Sequence, residues 1–263
     1  MATYKSLKGQ PIQVLTADPP APVEGQVWVV AAPGTASVMK GYALPAGTWA
    51  SGGNVNTARK GLSGFGTQTA AIAATGNAPS NTTNVESYNG ASWTETANYP
   101  VAITFPILLG VQTAAFCVAG TAPPGYVTAT NTYNGSAFTS STAINTARGE
   151  GVGAGTTSAG VITGGNTNSV SALTELWNGS SWTEVGDLNT ARNLLAGSGS
   201  SSSAMIAFGG DAPARAITES WNGTSWTELG DLSTGRRELG GSSNGTNLTG
   251  LAFSGCIANG TVQ

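Results

Sequence analysis

The chain has 263 residues, 40% of them hydrophobic but only 9% charged, against about 25% charged in ordinary soluble proteins. A formal net charge of −3 leaves no basic field to attract phosphate backbones, which argues against a nucleic-acid partner. Histidine is absent, which removes Ser-His-Asp and Cys-His catalysis, His-ligated zinc and copper, and most acid–base schemes at neutral pH.

At the N-terminus, "MATYKSLKGQPIQVLTADPP" has no apolar run long enough for a signal-peptide core. No stretch of the chain approaches the ~18 apolar residues of a membrane span. The expectation is synthesis in a cytoplasm without membrane insertion. Residues 1–37 stand outside the pattern that fills the rest of the chain. Pro19, Pro20 and Pro22 favour extended backbone over helix. With Trp28 they are the candidate partner contacts of an N-terminal docking arm that leads into a hairpin.

From residue 38 onward the chain repeats. Aligned on one aromatic position, Trp49, Trp93, Phe138, Trp182 and Trp226 follow at steps of 44, 45, 44 and 44 residues. A second aromatic precedes the last four at Tyr88, Tyr133, Trp177 and Trp221, and an Asn-Gly pair stands between. "NTAR" or "STGR" closes the motif at Arg59, Arg148, Arg192 and Arg236, whereas the second copy has Ile103 there. Each period holds four short runs: a Gly-rich one, a strongly apolar one such as "MIAFGG", an alternating one such as "AITESW", and one like "SWTEVGDL". Runs of this length with Gly and Asn between them are strands, and no 3.6-residue periodicity appears. Asn-Gly predicts a two-residue type I′ hairpin, with Trp221 facing Thr224 and Glu219 facing Trp226.

Four antiparallel strands per repeat describe a β-propeller. The chain ends after two strands of a fifth unit, while "SVMKGYAL" and "TWASGG" near the N-terminus supply two more. The prediction is an all-β protein: a five-bladed propeller over 38–263, its ring closed by N- and C-terminal strands sharing one blade. Each aromatic pair should pack on the neighbouring blade.

The order of apolar run, double Gly (Gly164–Gly165, Gly209–Gly210), aromatic, then Trp about five residues later resembles the kelch repeat. The resemblance spans about 38–263 and implies a propeller fold. The double Gly is reduced to a single Gly in the other units. A kelch propeller also invites comparison with galactose oxidase, but that family's copper site needs His ligands, which this chain lacks.

Repetition also exposes correlated losses. Arg59, Arg148 and Arg192 open blades that carry Glu86, Glu175 and Glu219, two residues before the aromatic. The second blade has lost both members, with Ile103 and Asn131, and the closing blade has Arg236 but Lys40. Joint loss points to an Arg–carboxylate bridge within each blade, because removing one partner strands a buried charge. Glu95, Glu184, Glu228, Asp187 and Asp231 recur blade by blade and read as structural rather than as a glycosidase pair. The sequons at Asn134, Asn178 and Asn222 are by-products of the hairpin turn. Cys117 and Cys256 lie in apolar runs and read as free thiols. No catalytic residue, cofactor site or metal site is expected.

Finally, "ADPPAPVEGQVW" and the repeat wording "WNGxxWTE" with "NTAR" resemble structural proteins of tailed bacteriophages, especially marine and cyanobacterial ones. The resemblance implies a non-enzymatic virion component of capsid, neck or tail, joined to other virion proteins through residues 1–37. A carbohydrate-binding adhesin touching a host surface glycan is the alternative.

Overall fold

The computed structural model describes residues 13–15, 27–30, 38–41, 51–211, 213–242, 245–246 and 250–257. It divides into two compact units, Met1–Ser51 and Gly52–Gln263. Every regular element among the described residues is a β-strand.

In the N-terminal unit, β1 (Gln13–Leu15), β2 (Val27–Val30) and β3 (Val38–Gly41) form a three-stranded sheet in that order. β1 runs parallel to β2, and β3 runs antiparallel to it with Lys40 opposite Trp28. The strand expected to complete a fifth blade is thus paired within the N-terminal sheet.

The second unit is a propeller-like arrangement of small antiparallel sheets. Its first blade is β4 (Ser63–Thr67), β5 (Ala70–Ala74), β6 (Val85–Tyr88) and β7 (Trp93–Glu95). The second has β8 (Ile107–Val111) and β9 (Ala114–Val118) inside. A side hairpin of β10 (Thr121–Ala122) and β11 (Gly125–Tyr126) follows, then β12 (Thr130–Tyr133) and β13 (Phe138–Ser141) complete that blade. The third is β14 (Val152–Gly155), β15 (Gly160–Thr163), β16 (Thr174–Trp177) and β17 (Trp182–Glu184). The fourth is β18 (Ala196–Ser201), β19 (Ala204–Phe208), β20 (Thr218–Trp221) and β21 (Trp226–Glu228). Beyond it, β22 (Gly240–Gly241) and β23 (Ala252–Phe253) make a two-stranded sheet. The expectation of five four-stranded blades is corrected on this point: the described residues build four, followed by a half-blade.

Blades cohere because each aromatic pair lies on the blade before it. Trp177 meets Phe116 edge-on at 5.3 Å between ring centres, and Trp182 lies 6.0 Å from the same ring. Trp221 and Trp226 join Val161, Ala154 and Leu188 in the next cluster. Tyr133 and Phe138 pack with Phe65, Ile72 and Val85 of the first blade. Burying one such side chain contributes about 1.5–3 kcal/mol, so the joints carry much of the core.

The Asn-Gly hairpins differ from the predicted type. Trp221 pairs with Trp226 directly, as Trp177 does with Trp182 and Tyr88 with Trp93, around four-residue loops. The Asn222 side-chain oxygen accepts the N–H groups of Thr224 and Ser225, both at 2.9 Å. Gly223 has φ +94°, whereas Asn222 is not left-handed. A type I′ turn needs positive φ at both residues, and the Asn side chain, by taking up two backbone donors, stabilises the wider loop instead.

Candidate functional site

The recurring charged residues meet where the chain passes from one blade into the next. Arg59 Nη1 lies 2.6 Å from Glu86 Oε1, Arg148 Nη1 2.6 Å from Glu175 Oε1, and Arg192 Nη2 2.8 Å from Glu219 Oε1. All six side chains are almost wholly buried. The carboxylate's other oxygen accepts the backbone N–H of the Asn that opens the motif: Asn56 at 2.6 Å, Asn145 at 2.8 Å and Asn189 at 2.7 Å. Asn145 and Asn189 add their side-chain amides to the same oxygen. Arg192 also donates to the carbonyls of Gly209 and Ile217. Each cluster therefore ties a connector to the third strand of the blade it enters, and Arg59 also reaches the second strand at the Ala73 carbonyl, 3.3 Å away. Burial pulls Arg148 and Arg192 below the usual guanidinium range, and the adjoining Glu175 and Glu219 act against that pull.

The second blade solves the same joint without charge. Ile103 is buried, and Asn131 Nδ2 donates to the Tyr99 hydroxyl at 2.7 Å. Tyr99 stacks edge-on with Phe138 and packs beside Cys117. Desolvation, then the neighbouring Cys117, raises the Tyr99 hydroxyl well above the ordinary phenol range. Burial pushes the Cys117 thiol up to about 12. Cys117 and Cys256 are both free thiols.

Two residues beyond each Arg position lies a feature that sequence reasoning missed. Gly61, Phe105, Glu150, Leu194 and Glu238 all adopt left-handed backbone, with φ between 51° and 63°. Phe105 N donates to Gly61 O, Glu150 N to Phe105 O, Leu194 N to Glu150 O and Glu238 N to Leu194 O, at 2.7–3.1 Å. These four links pass from one innermost strand to the next. Four of the five residues are not Gly, and each such conformation costs about 1–2 kcal/mol. Nothing in the residue types Gly, Phe, Glu, Leu and Glu signals the shared backbone; only their common offset from the motif does.

A cavity of about 290 Å3 is lined by Gly61, Phe105, Glu150, Leu194 and Glu238 among others. A second of about 300 Å3 lies against the innermost strands. Their walls are glycine-rich because blades approach closely: a side chain on Gly153 would press on Leu109 and Ile107, and one on Gly241 would collide with the Gly197 carbonyl. Glu150, in the cavity wall, is held by Asn193 Nδ2 at 2.6 Å and by the Tyr126 hydroxyl at 3.3 Å. Tyr126 lies on β11, so the side hairpin of the second blade braces the cavity wall.

Of the sequence-predicted residues, Tyr133, Trp177, Trp182, Trp221 and Trp226 are buried in blade joints. Tyr88 and Trp93 are half-buried, with Trp93 Nε1 donating to Gly53 O at 3.0 Å. Trp49, Pro19, Pro20 and Pro22 lie outside the described residues, and Trp28 lies on β2. Arg236 departs from its counterparts. Its Nη1 donates to Ser254 O at 3.2 Å, and no carboxylate of the described residues is within ion-pair reach. Arg237 beside it pairs with Asp211 at 2.7 Å.

The chain matches no known family model, and no curated protein is similar enough in sequence to count as a relative. The likeness to kelch repeats therefore stays a likeness of repeat wording.

Proposed function

We propose that this protein is a non-enzymatic structural component of a tailed-phage particle. In this reading a kelch-like propeller with five positions around its axis is displayed or docked through the N-terminal arm. The observation that carries the reading is how the repeat uses its chemistry. The recurring Arg and Glu are buried in the blade joints, and the recurring aromatics fill the clusters between blades. A molecule whose repeated functional groups join its own parts suits scaffolding and display. The five left-handed residues support five positions: among the described residues, four carry complete blades and the fifth carries β22 and β23.

The test is particle incorporation. Full-length protein carrying Pro19→Ala, Pro20→Ala, Pro22→Ala and Trp28→Ala should keep its circular dichroism and be lost from purified particles, measured by quantitative mass spectrometry. Undiminished incorporation rejects the arm. Loss of host-cell binding with normal incorporation favours the glycan-binding alternative.

A further inference from the structure

The cavity of about 290 Å3 has a wall built at some cost. Phe105, Glu150, Leu194 and Glu238 hold left-handed backbone that glycine takes without strain, as Gly61 does in the same series. Four side chains are therefore kept in this wall against the preference of the backbone, and strain of that kind gathers at functional positions.

Among the described wall residues, Glu150 and Glu238 carry the only charges, both negative. The oxygens of Glu150 accept from uncharged donors, Asn193 Nδ2 and the Tyr126 hydroxyl, so its charge is oriented without being neutralised. Glu238 is exposed, and the neighbouring Arg237, which feels its charge, is itself paired with Asp211 at 2.7 Å. Lys60 and Arg237 adjoin Gly61 and Glu238 in the chain, but neither lines the cavity. Leu62, Pro106, Leu195 and Leu239 supply apolar wall, and they also line the second cavity, of about 300 Å3. The two spaces share these residues, and the carboxylates line only the first.

Such a wall repels phosphates and carboxylates. It favours a cation that carries apolar surface, and the Phe105 ring favours that cation further. We infer that the cavity is a binding site for an alkylammonium group. The ammonium sits by Glu150, Glu238 and Phe105, and the aliphatic stem runs along Leu62, Pro106, Leu195 and Leu239. An inorganic cation would leave the apolar wall unused, and a neutral apolar ligand would leave the carboxylates unused. The group has two sources, a free alkylamine or a lysine side chain of a partner protein. The site belongs to the propeller blades and depends neither on the N-terminal arm nor on particle attachment.

The test is a protein-observed NMR titration of the full-length chain with pentylamine near neutral pH. Saturable shifts are expected at the amides of Glu150 and Glu238. Pentylamine should bind about fivefold more tightly than pentanol, which lacks the charge, and about tenfold more tightly than methylamine, which lacks the stem. Glu150→Gln and Glu238→Gln should each weaken binding about two- to fivefold, and Phe105→Leu by a similar factor. Glu95→Gln, on β7, should change nothing. Unchanged melting curves verify that the variants are folded, and Glu238→Gln, at an exposed side chain, decides the matter should Phe105→Leu unfold. The capped tripeptide acetyl-Gly-Lys-Gly-amide is titrated in parallel. Tripeptide binding with the same dependence on both glutamates points to a partner's lysine; pentylamine binding without it points to a free amine. Three results overturn the site: no saturable binding of either probe, methylamine or pentanol binding as tightly as pentylamine, or indifference to both glutamate substitutions.

Discussion

Arg192 and Glu219 are side chains that water solvates well, yet both are buried. Removing one partner of such a pair leaves an uncompensated charge and costs about 3–5 kcal/mol, whereas replacing both by apolar groups can be neutral. The second blade already shows the neutral solution in Ile103, Asn131 and Tyr99. Urea unfolding should therefore find Glu219→Gln and Arg192→Met each strongly destabilising. The double variant Arg192→Met/Glu219→Leu should lose much less than their sum; additive losses would remove the coupling. Tyr99 and Cys117 make a pH prediction. Both have folded pKa values above their ordinary 10.0 and 9.0, so their contribution to stability is complete below about pH 9. It declines as pH rises and folded Cys117 approaches about 12, because the unfolded state gives up these protons first. Alkaline titration by circular dichroism should show unfolding that begins at higher pH in Tyr99→Phe, relative to that variant's own stability at pH 7. An onset unmoved by the substitution contradicts this.

Strands and hairpins were legible because the physics that forms them is local. Alternating apolar residues, Asn-Gly turns and a 44-residue period place the strands of the four complete blades to within a few residues. The turn type was misjudged because the Asn222 side chain competes for the backbone donors of Thr224 and Ser225, and Asn-Gly composition does not reveal which arrangement wins. The double-Gly motif was read as lost in some units. Yet Thr75, Ala119 and Ser254 hold the left-handed backbone that Gly164 and Gly209 hold elsewhere. Packing between neighbouring strands imposes that conformation, which is invisible in residue identity. The Arg–Glu joints were legible through paired presence and paired loss. The left-handed series was not, since its contacts are between backbones of different blades.

At the scale of the whole molecule, counting repeats led to a complete ring, and strand pairing corrects the count. Val38–Gly41 has two strands it could join by pattern, and its partner is Val27–Val30. Choice among partners of similar local fit depends on long-range closure, which periodicity does not encode. Among the described residues there are four complete blades, the β22–β23 sheet, and a left-handed series whose backbone bonds link one blade to the next. Amide hydrogen exchange on the full-length chain tests this most directly, because protection reports which strand edges are covered. The second strands β5, β9, β15 and β19 should exchange slowly and together. The linking N–H groups of Phe105, Glu150, Leu194 and Glu238 should exchange as slowly as these strands, because each is bonded to a carbonyl at the blade before. If those four amides exchange as fast as exposed loops, the left-handed links do not hold the blades together.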